Sequence, residues 1–288
     1  MATDLLAGRS ETQPVAALTR PPRIAVVDSG LGGLTVFAAV AAGLPQAELT
    51  YLADDAAFPY GRLGDAALVA RVAALVDRLI AETAPDLVVI ACNTASTLVL
   101  PHLRAAHAIP FVGTVPAVKP AAALSATKRI SVLATPGTVA RDYTRALIAT
   151  HAAGCAVTLV GSPRLAGHAE AEMRGEPVPD AAIAAEIAPA FVDDGRGRTD
   201  VVVLACTHFP LLGERLRALA PWPVQFVDPA PAVARRAAAL IGPLAPTRDP
   251  RPPRALFTGD AAVPPALAAA LARRGLPEIA ALKLPFAG

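Results

Sequence analysis

The chain has 288 residues, enough for one large or two ordinary α/β domains, and its 54% hydrophobic content against 17% charged excludes a disordered chain. A net charge of +2 is too small to point to nucleic acid, and with Lys only at 119, 128 and 283 a Schiff-base cofactor has little to bind. Three widely spaced cysteines make no disulfide framework, which favours a reducing cytoplasm.

Residues 1–22 read as a flexible tail that ends at Pro21-Pro22 and lacks the marks of a signal peptide. No run approaches ~18 uninterrupted apolar residues, so no membrane span is expected. Beyond the tail, short β-branched runs alternate with Ala/Leu-rich amphipathic stretches, the pattern of βαβ units around a buried parallel sheet. Strands are expected at Ile24–Val27, Leu49–Ala53, Leu87–Ala91, Phe111–Val112, Ile130–Ala134, Val157–Val160, Val201–Ala205 and Gln225–Val227. Helices are expected at Leu34–Ala42, Asp65–Thr83, Thr97–His107, Val139–His151, Ala181–Asp194, Glu214–Ala220 and Ala232–Ile241. Pro101 and Pro189 fall inside two of them and imply a kink or a shifted boundary. A Pro/Arg-rich connector over residues 246–254 reads as a surface loop, followed by one more βα unit, Ala255–Thr258 and Pro264–Arg274.

One phrase occurs twice. Asp86-Leu-Val-Val-Ile-Ala-Cys92 and Asp200-Val-Val-Val-Leu-Ala-Cys206 are both buried-type strands that end in a cysteine. Arg23–Val27 likewise matches Arg129–Leu133, and Val112–Val118 matches Val227–Val233, in the same order and at nearly the same spacing. The fold class expected is α/β: two similar lobes, each a mainly parallel sheet flanked by helices, with a site in the cleft between them at the strands' carboxyl ends. The boundaries expected are 23–118 plus 230–288 for the first lobe and 119–229 for the second.

The turn Asp28-Ser29-Gly30-Leu31-Gly32-Gly33 follows the first strand. Asp54 lies at a distance compatible with a dinucleotide fingerprint, but the spacing is G-x-G-G, with Thr35 where the third glycine belongs. A carboxylate-binding turn fits equally well, with Asp28 directed into the cleft. Phe58-Pro59-Tyr60-Gly61 alone reads as a structural loop. Cys155 reads as a small core residue, whereas Cys92 is followed by Asn93-Thr94 and Cys206 by Thr207-His208, groups able to orient a thiol or take its proton. Cys206-x-His208 has no C-x-x-C or H-x-x-x-H spacing to complete a metal site, and His102, His107, His151 and His168 stand singly. A Cys-His acyl-transfer enzyme would leave the second duplicated cysteine unused. Two thiols on similar lobes suit inversion of a stereocentre, where one residue removes a proton and the other supplies one to the opposite face.

Asp28-Ser-Gly-Leu-Gly-Gly-Leu-Thr35, Pro59-Tyr-Gly61, Ala91-Cys-Asn-Thr-Ala-Ser96, Ala134-Thr-Pro-Gly-Thr138 and Cys206-Thr-His-Phe-Pro-Leu-Leu212 together resemble the motifs of the glutamate racemases, in the cofactor-independent aspartate/glutamate racemase superfamily. The resemblance spans about residues 23–260. It implies Cys92 and Cys206 as the acid/base pair, Asp28 assisting Cys92, and His208 with a glutamate assisting Cys206. The stretch Ser162–Glu170 makes that glutamate Glu170, with Glu172 as its rival. Substrate contacts implied are Asp28, Ser29, Tyr60, Gly61, Asn93, Thr94, Thr207 and His208. The resemblance also implies L- and D-glutamate as substrates, no cofactor and no metal, a role in peptidoglycan synthesis, and neither nucleic acid nor membrane as partner; a homodimer is compatible with it. Against it stand a sibling racemase for aspartate and a non-catalytic regulator with the same fold.

Overall fold

The computed structural model describes residues 15, 18–195, 197–243, 249–260 and 262–284. The expected tail falls mostly outside the described residues, as does the first part of the 246–254 connector. Val115–Pro229 form one compact unit, and the chain on either side forms the other.

The first unit opens with β1 (Arg23–Asp28), α1 (Leu34–Gly43), β2 (Glu48–Ala53), α2 (Asp65–Thr83), β3 (Leu87–Ile90), α3 (Asn93–Ala106) and β4 (Phe111–Gly113). The second contains α4 (Val118–Leu124), β5 (Arg129–Ala134), α5 (Pro136–Ala140), α6 (Asp142–His151), β6 (Ala156–Gly161), α7 (Leu165–Met173), α8 (Asp180–Ile187), β7 (Val201–Ala205), α9 (Gly213–Leu219) and β8 (Gln225–Val227). The chain then returns to the first unit with α10 (Ala230–Ile241), β9 (Arg254–Phe257), α11 (Pro265–Arg273) and β10 (Glu278–Ala281).

Every pairing between these strands is parallel. The first sheet runs β10-β9-β2-β1-β3-β4 and the second β6-β5-β7-β8. The order β2-β1-β3-β4 is therefore repeated as β6-β5-β7-β8, and the twice-written phrase becomes β3 and β7, each the inner neighbour of its unit's first strand. In such an order the chain winds outward from the first strand in both directions, which leaves a crevice at the carboxyl ends between β1 and β3, and again between β5 and β7. Strand residues at 24–28, 87–90 and 201–205 are buried without alternation, as a sheet covered on both faces requires. Leu68, Val72, Leu75 and Leu79 on α2 pack with Val99 and Leu103 on α3 over the first sheet; Val118 and Ala121 on α4 lie against Ile130, Val132, Val201 and Val203 of the second.

Several boundaries differ from the sequence-based expectation for local reasons. Helix α3 starts at Asn93 rather than Thr97 and continues past Pro101 to Ala106. Pro189 does end its helix: α8 stops at Ile187 and gives way to a 3-10 turn over Ala188–Ala190, well short of Asp194. The expected 139–151 helix is two pieces, because Thr135 caps α5 and Arg141 takes an extended conformation before α6. Helices α4 and α7 and strand β10, which sequence periodicity did not single out, are short and rich in alanine or charge. At the amino end of β7, the only tryptophan of the chain, Trp222, donates its Nε1–H to the Thr199 carbonyl at 2.7 Å. Phe191 meets its ring edge-on at 5.7 Å, and the Arg198 guanidinium lies 5.4 Å above it.

Candidate active site

In the first unit, Asp28 is the last residue of β1, and its carboxylate accepts the Gly30 N–H at 3.3 Å. The glycine-rich turn thus carries its own anion, which leaves it poorly suited to a pyrophosphate. Gly33 serves close packing, since a Cβ there would stand 2.6 Å from Asp28 Cβ. Cys92 directly follows the strand extension beyond β3 and occupies the cap position of the 14-residue α3, so a negative charge at its sulfur would meet the favourable amino end of the helix. Asn93 and Thr94 form the first turn of that helix. Asn93 is 2% exposed, and neither its amide nitrogen nor its amide oxygen has a hydrogen-bond partner among the described residues. Buried polar groups are almost always satisfied. A donor and an acceptor left open together beside a thiol are suited to a polar ligand. Thr114, immediately after β4, also buries a hydroxyl with no partner among the described residues, while its N–H is held by Ser96 Oγ at 3.1 Å.

Tyr60 and Gly61 sit in a 3-10 turn entered through a cis Phe58–Pro59 peptide bond. The Tyr60 hydroxyl donates to Asp54 Oδ2 at 2.7 Å. Burial pushes the Tyr60 phenol well above its usual range, reinforced by Asp54 and by the charges of Cys92 and Asp28, so it remains a donor. Cys92 and Asp28 both act on the Tyr60 phenol through their charges. Asp54 is fully buried and is the hub of this corner. Besides Tyr60, it accepts from Arg71 Nε at 2.9 Å and Nη2 at 2.5 Å, and from Thr258 Oγ1 at 2.7 Å. Burial works against the Arg71 charge, yet its bonds to Asp54 raise the guanidinium above its ordinary value. Neighbouring Asp55 accepts the N–H groups of Thr258 and Gly259, tying the loop after β2 to the end of β9. A signal for this hub was present in the sequence: Arg71 interrupts the apolar face formed by Leu68, Val72 and Leu75.

In the second unit, Cys206 follows β7, and Cys206 Sγ lies 3.9 Å from His208 Nδ1. His208 Nε2 is 2.9 Å from Glu170 Oε1, presented by α7. Glu172 does not join this group. Its carboxylate binds Arg215, which also holds Asp180. With Glu170 ionised, Nε2 carries the imidazole proton and Nδ1 offers its lone pair to the thiol, the arrangement by which a carboxylate orients a histidine toward a nucleophile. Thr207 is buried between Cys206 and His208. Thr135, at the end of β5 where the first unit has Asp28-Ser29, turns its hydroxyl inward to Thr138 at 3.0 Å. The helpers thus differ: a helix terminus, a carboxylate and a phenol around one cysteine, an imidazole–carboxylate pair beside the other.

The structure places Asp28, Ser29, Tyr60, Gly61, Cys92, Asn93 and Thr94 at the carboxyl ends of β1, β2 and β3, and Thr207, Cys206 and His208 at that of β7. A cavity of about 160 Å³ lined by Arg23, Glu48, Thr83, Arg251, Arg254 and Glu278 lies at the opposite, amino end of the first sheet and includes none of them. Among the described residues no three His, Cys, Asp or Glu side chains are grouped to hold a metal ion, and no helix is long and apolar enough to cross a membrane.

Two parallel sheets that share a four-strand order, each with a cysteine beyond the same strand, define the class as a duplicated α/β protein. Residues 34–237 match the Asp/Glu/Hydantoin racemase family, and the chain belongs to it; by class it is an isomerase. It is 52% identical over 236 residues to the glutamate racemase of Brucella ovis, covering 82% of this chain and 84% of that protein. Among solved structures, Escherichia coli glutamate racemase in complex with L-glutamate and the activator UDP-MurNAc-ala superposes with a TM-score of 0.85 at 39% identity, covering 91% of this chain and 98% of the other. Thermus thermophilus glutamate racemase in complex with beta-chloro-D-alanine gives 0.70 at 28% identity, with 93% and 98% covered.

Proposed function

We propose that the protein interconverts L- and D-glutamate without a cofactor, using Cys92 and Cys206 as the two acid/base residues. The observation that carries this reading is the duplicated strand order with a cysteine at the same place in each copy. One thiolate removes the α-proton while the other cysteine, as a thiol, delivers a proton to the opposite face; the reverse reaction exchanges their roles. Asp28 serves Cys92. His208, oriented by Glu170, accepts the Cys206 thiol proton at Nδ1 before Cys206 acts as the base; Cys206 becomes a thiol again by taking the α-proton, and the imidazolium proton leaves to solvent while the Cys92 thiolate takes one up. The open amide of Asn93, with Ser29, Tyr60, Gly61, Thr94 and Thr207, supplies the polar contacts for a small dicarboxylic amino acid. Glutamate as the substrate is supported by the 52% identical relative and by the L-glutamate complex of the 39% identical structure. The product role is provision of D-glutamate for peptidoglycan in the bacterial cytoplasm.

The test is exchange of the α-proton in heavy water, run separately from L- and D-glutamate with the cysteines reduced. Both enantiomers should take up deuterium as racemisation proceeds, with D- and L-aspartate turned over far more slowly. No exchange from either glutamate enantiomer would rule out the activity. Full activity in both Cys92→Ala and Cys206→Ala would rule out the two-thiol mechanism.

A further inference from the structure

The series Cys206, His208, Glu170 has a fourth member. Glu170 and Arg174 stand four residues apart at the end of α7, so they share a face of the helix. Glu170 turns one oxygen, Oε1, to His208 Nε2 at 2.9 Å, while the other, Oε2, accepts from Arg174 Nη2 at 3.4 Å. The Glu170 side chain is 8% exposed and that of Arg174 28%. Among the described residues the Arg174 guanidinium binds no side chain but Glu170. The other charges around α7 hold one another: Glu172 and Asp180 share Arg215, and Glu186 on α8 takes Ser162 and Arg164.

A nearly buried carboxylate facing an imidazole has two alternatives. It can remain ionised and accept the Nε2–H, or it can acquire the proton and lose its hold on the tautomer. A guanidinium on the far oxygen favours the first.

We propose that Arg174 is a positioning residue for the Cys206 half of the reaction, holding Glu170 ionised and oriented so that His208 presents an unprotonated Nδ1 to the thiol. In the step it supports, the proton leaves Cys206 Sγ for His208 Nδ1, giving thiolate and imidazolium; the thiolate then takes the α-proton, and the imidazolium releases its proton to solvent while the Cys92 thiolate takes one up. This inference rests on the racemase reading above.

The experiment compares wild type with Arg174→Met, Arg174→Lys, Glu170→Gln and the Arg174→Met/Glu170→Gln double variant, using glutamate with hydrogen or deuterium at the α-carbon. Arg174→Met should lower kcat/KM about fivefold, the effect of a partly exposed charge pair. It should also raise the isotope effect for the enantiomer deprotonated by Cys206 and lower it for the other, an asymmetry that general loosening of the fold would not produce. Arg174→Lys should recover most of the loss. In the Glu170→Gln background, the Arg174→Met change should have no further effect. Unaltered kinetics in Arg174→Met, failure of Lys to rescue, or the same loss with and without Glu170 would each overturn the assignment. An inactive wild type would instead overturn the racemase reading, and this inference with it.

Discussion

Replacing Arg71 by Met tests how strongly the Asp54 hub holds the first unit together. Asp54 is fully buried and the Arg71 side chain is 4% exposed, so neither charge of the pair is screened by solvent. Methionine fills a similar volume but leaves the carboxylate with two neutral donors, Tyr60 and Thr258. Breaking a buried pair from one side costs about 3–5 kcal/mol. Arg71→Met should therefore lose about 4 kcal/mol. Urea unfolding followed by far-ultraviolet circular dichroism should show a midpoint lower by roughly 1–2 M. Adding Asp54→Asn removes the stranded charge, keeps an amide oxygen to accept from one of the Tyr60 and Thr258 hydroxyls and offers an N–H to the other, and should restore most of the loss. A change below about 1 kcal/mol in Arg71→Met, or a double variant as unstable as the single one, would refute the reasoning.

Asn93→Ala should leave the melting temperature unchanged or raised, because it removes two polar atoms buried without partners, yet lower kcat/KM by about a hundredfold; a loss of stability with retained activity would contradict the role given to the amide. Gly33→Ala should displace Asp28, whose Cβ would lie 2.6 Å from the new methyl group, and lower kcat/KM at least about tenfold with little change in the far-ultraviolet spectrum; unaltered kinetics would show that Asp28 is not needed where it stands. In the second unit, burial opposes ionisation of Asp200, but bonds from Ser125, Thr127 and Ala126 prevail and lower it below the ordinary carboxylate value. A carboxyl group lowered in the folded state stabilises above its unfolded value, near 3.9, and that contribution disappears as pH falls through the folded value. Asp200→Asn should therefore flatten the acid limb of the stability profile below about pH 4, whereas an unchanged limb would place the acid sensitivity elsewhere.

The buried strands were the most legible part of the chain. Val201–Ala205 stands at its expected bounds because a valine run preceded by charge and buried on both faces leaves a parallel strand few alternatives. The repeat was readable for the same reason, and it reappears in the order of strands around β1 and β5. Alanine-rich helices were less legible. Nothing in Val118–Leu124 or Leu165–Met173 marks a face by periodicity, and α3 begins earlier than expected because its first turn is the site loop itself, with Cys92 as the cap. The family resemblance favoured Glu170 and left Glu172 as its rival; their side-chain directions, toward His208 and Arg215 respectively, separate them. Asp54 attracted attention as a possible ribose ligand, whereas its four hydrogen bonds are internal.

The lone tryptophan makes the two units optically unequal. Trp222 lies at the amino end of β7, while Cys206 lies beyond its carboxyl end, so indole emission reports on the base of the second sheet and is remote from the chemistry. Fluorescence excited at the red edge of the indole band will follow unfolding of that unit and stay silent while the first unit melts. A fluorescence curve and a circular dichroism curve that fail to coincide would then measure how independently the two halves lose their structure.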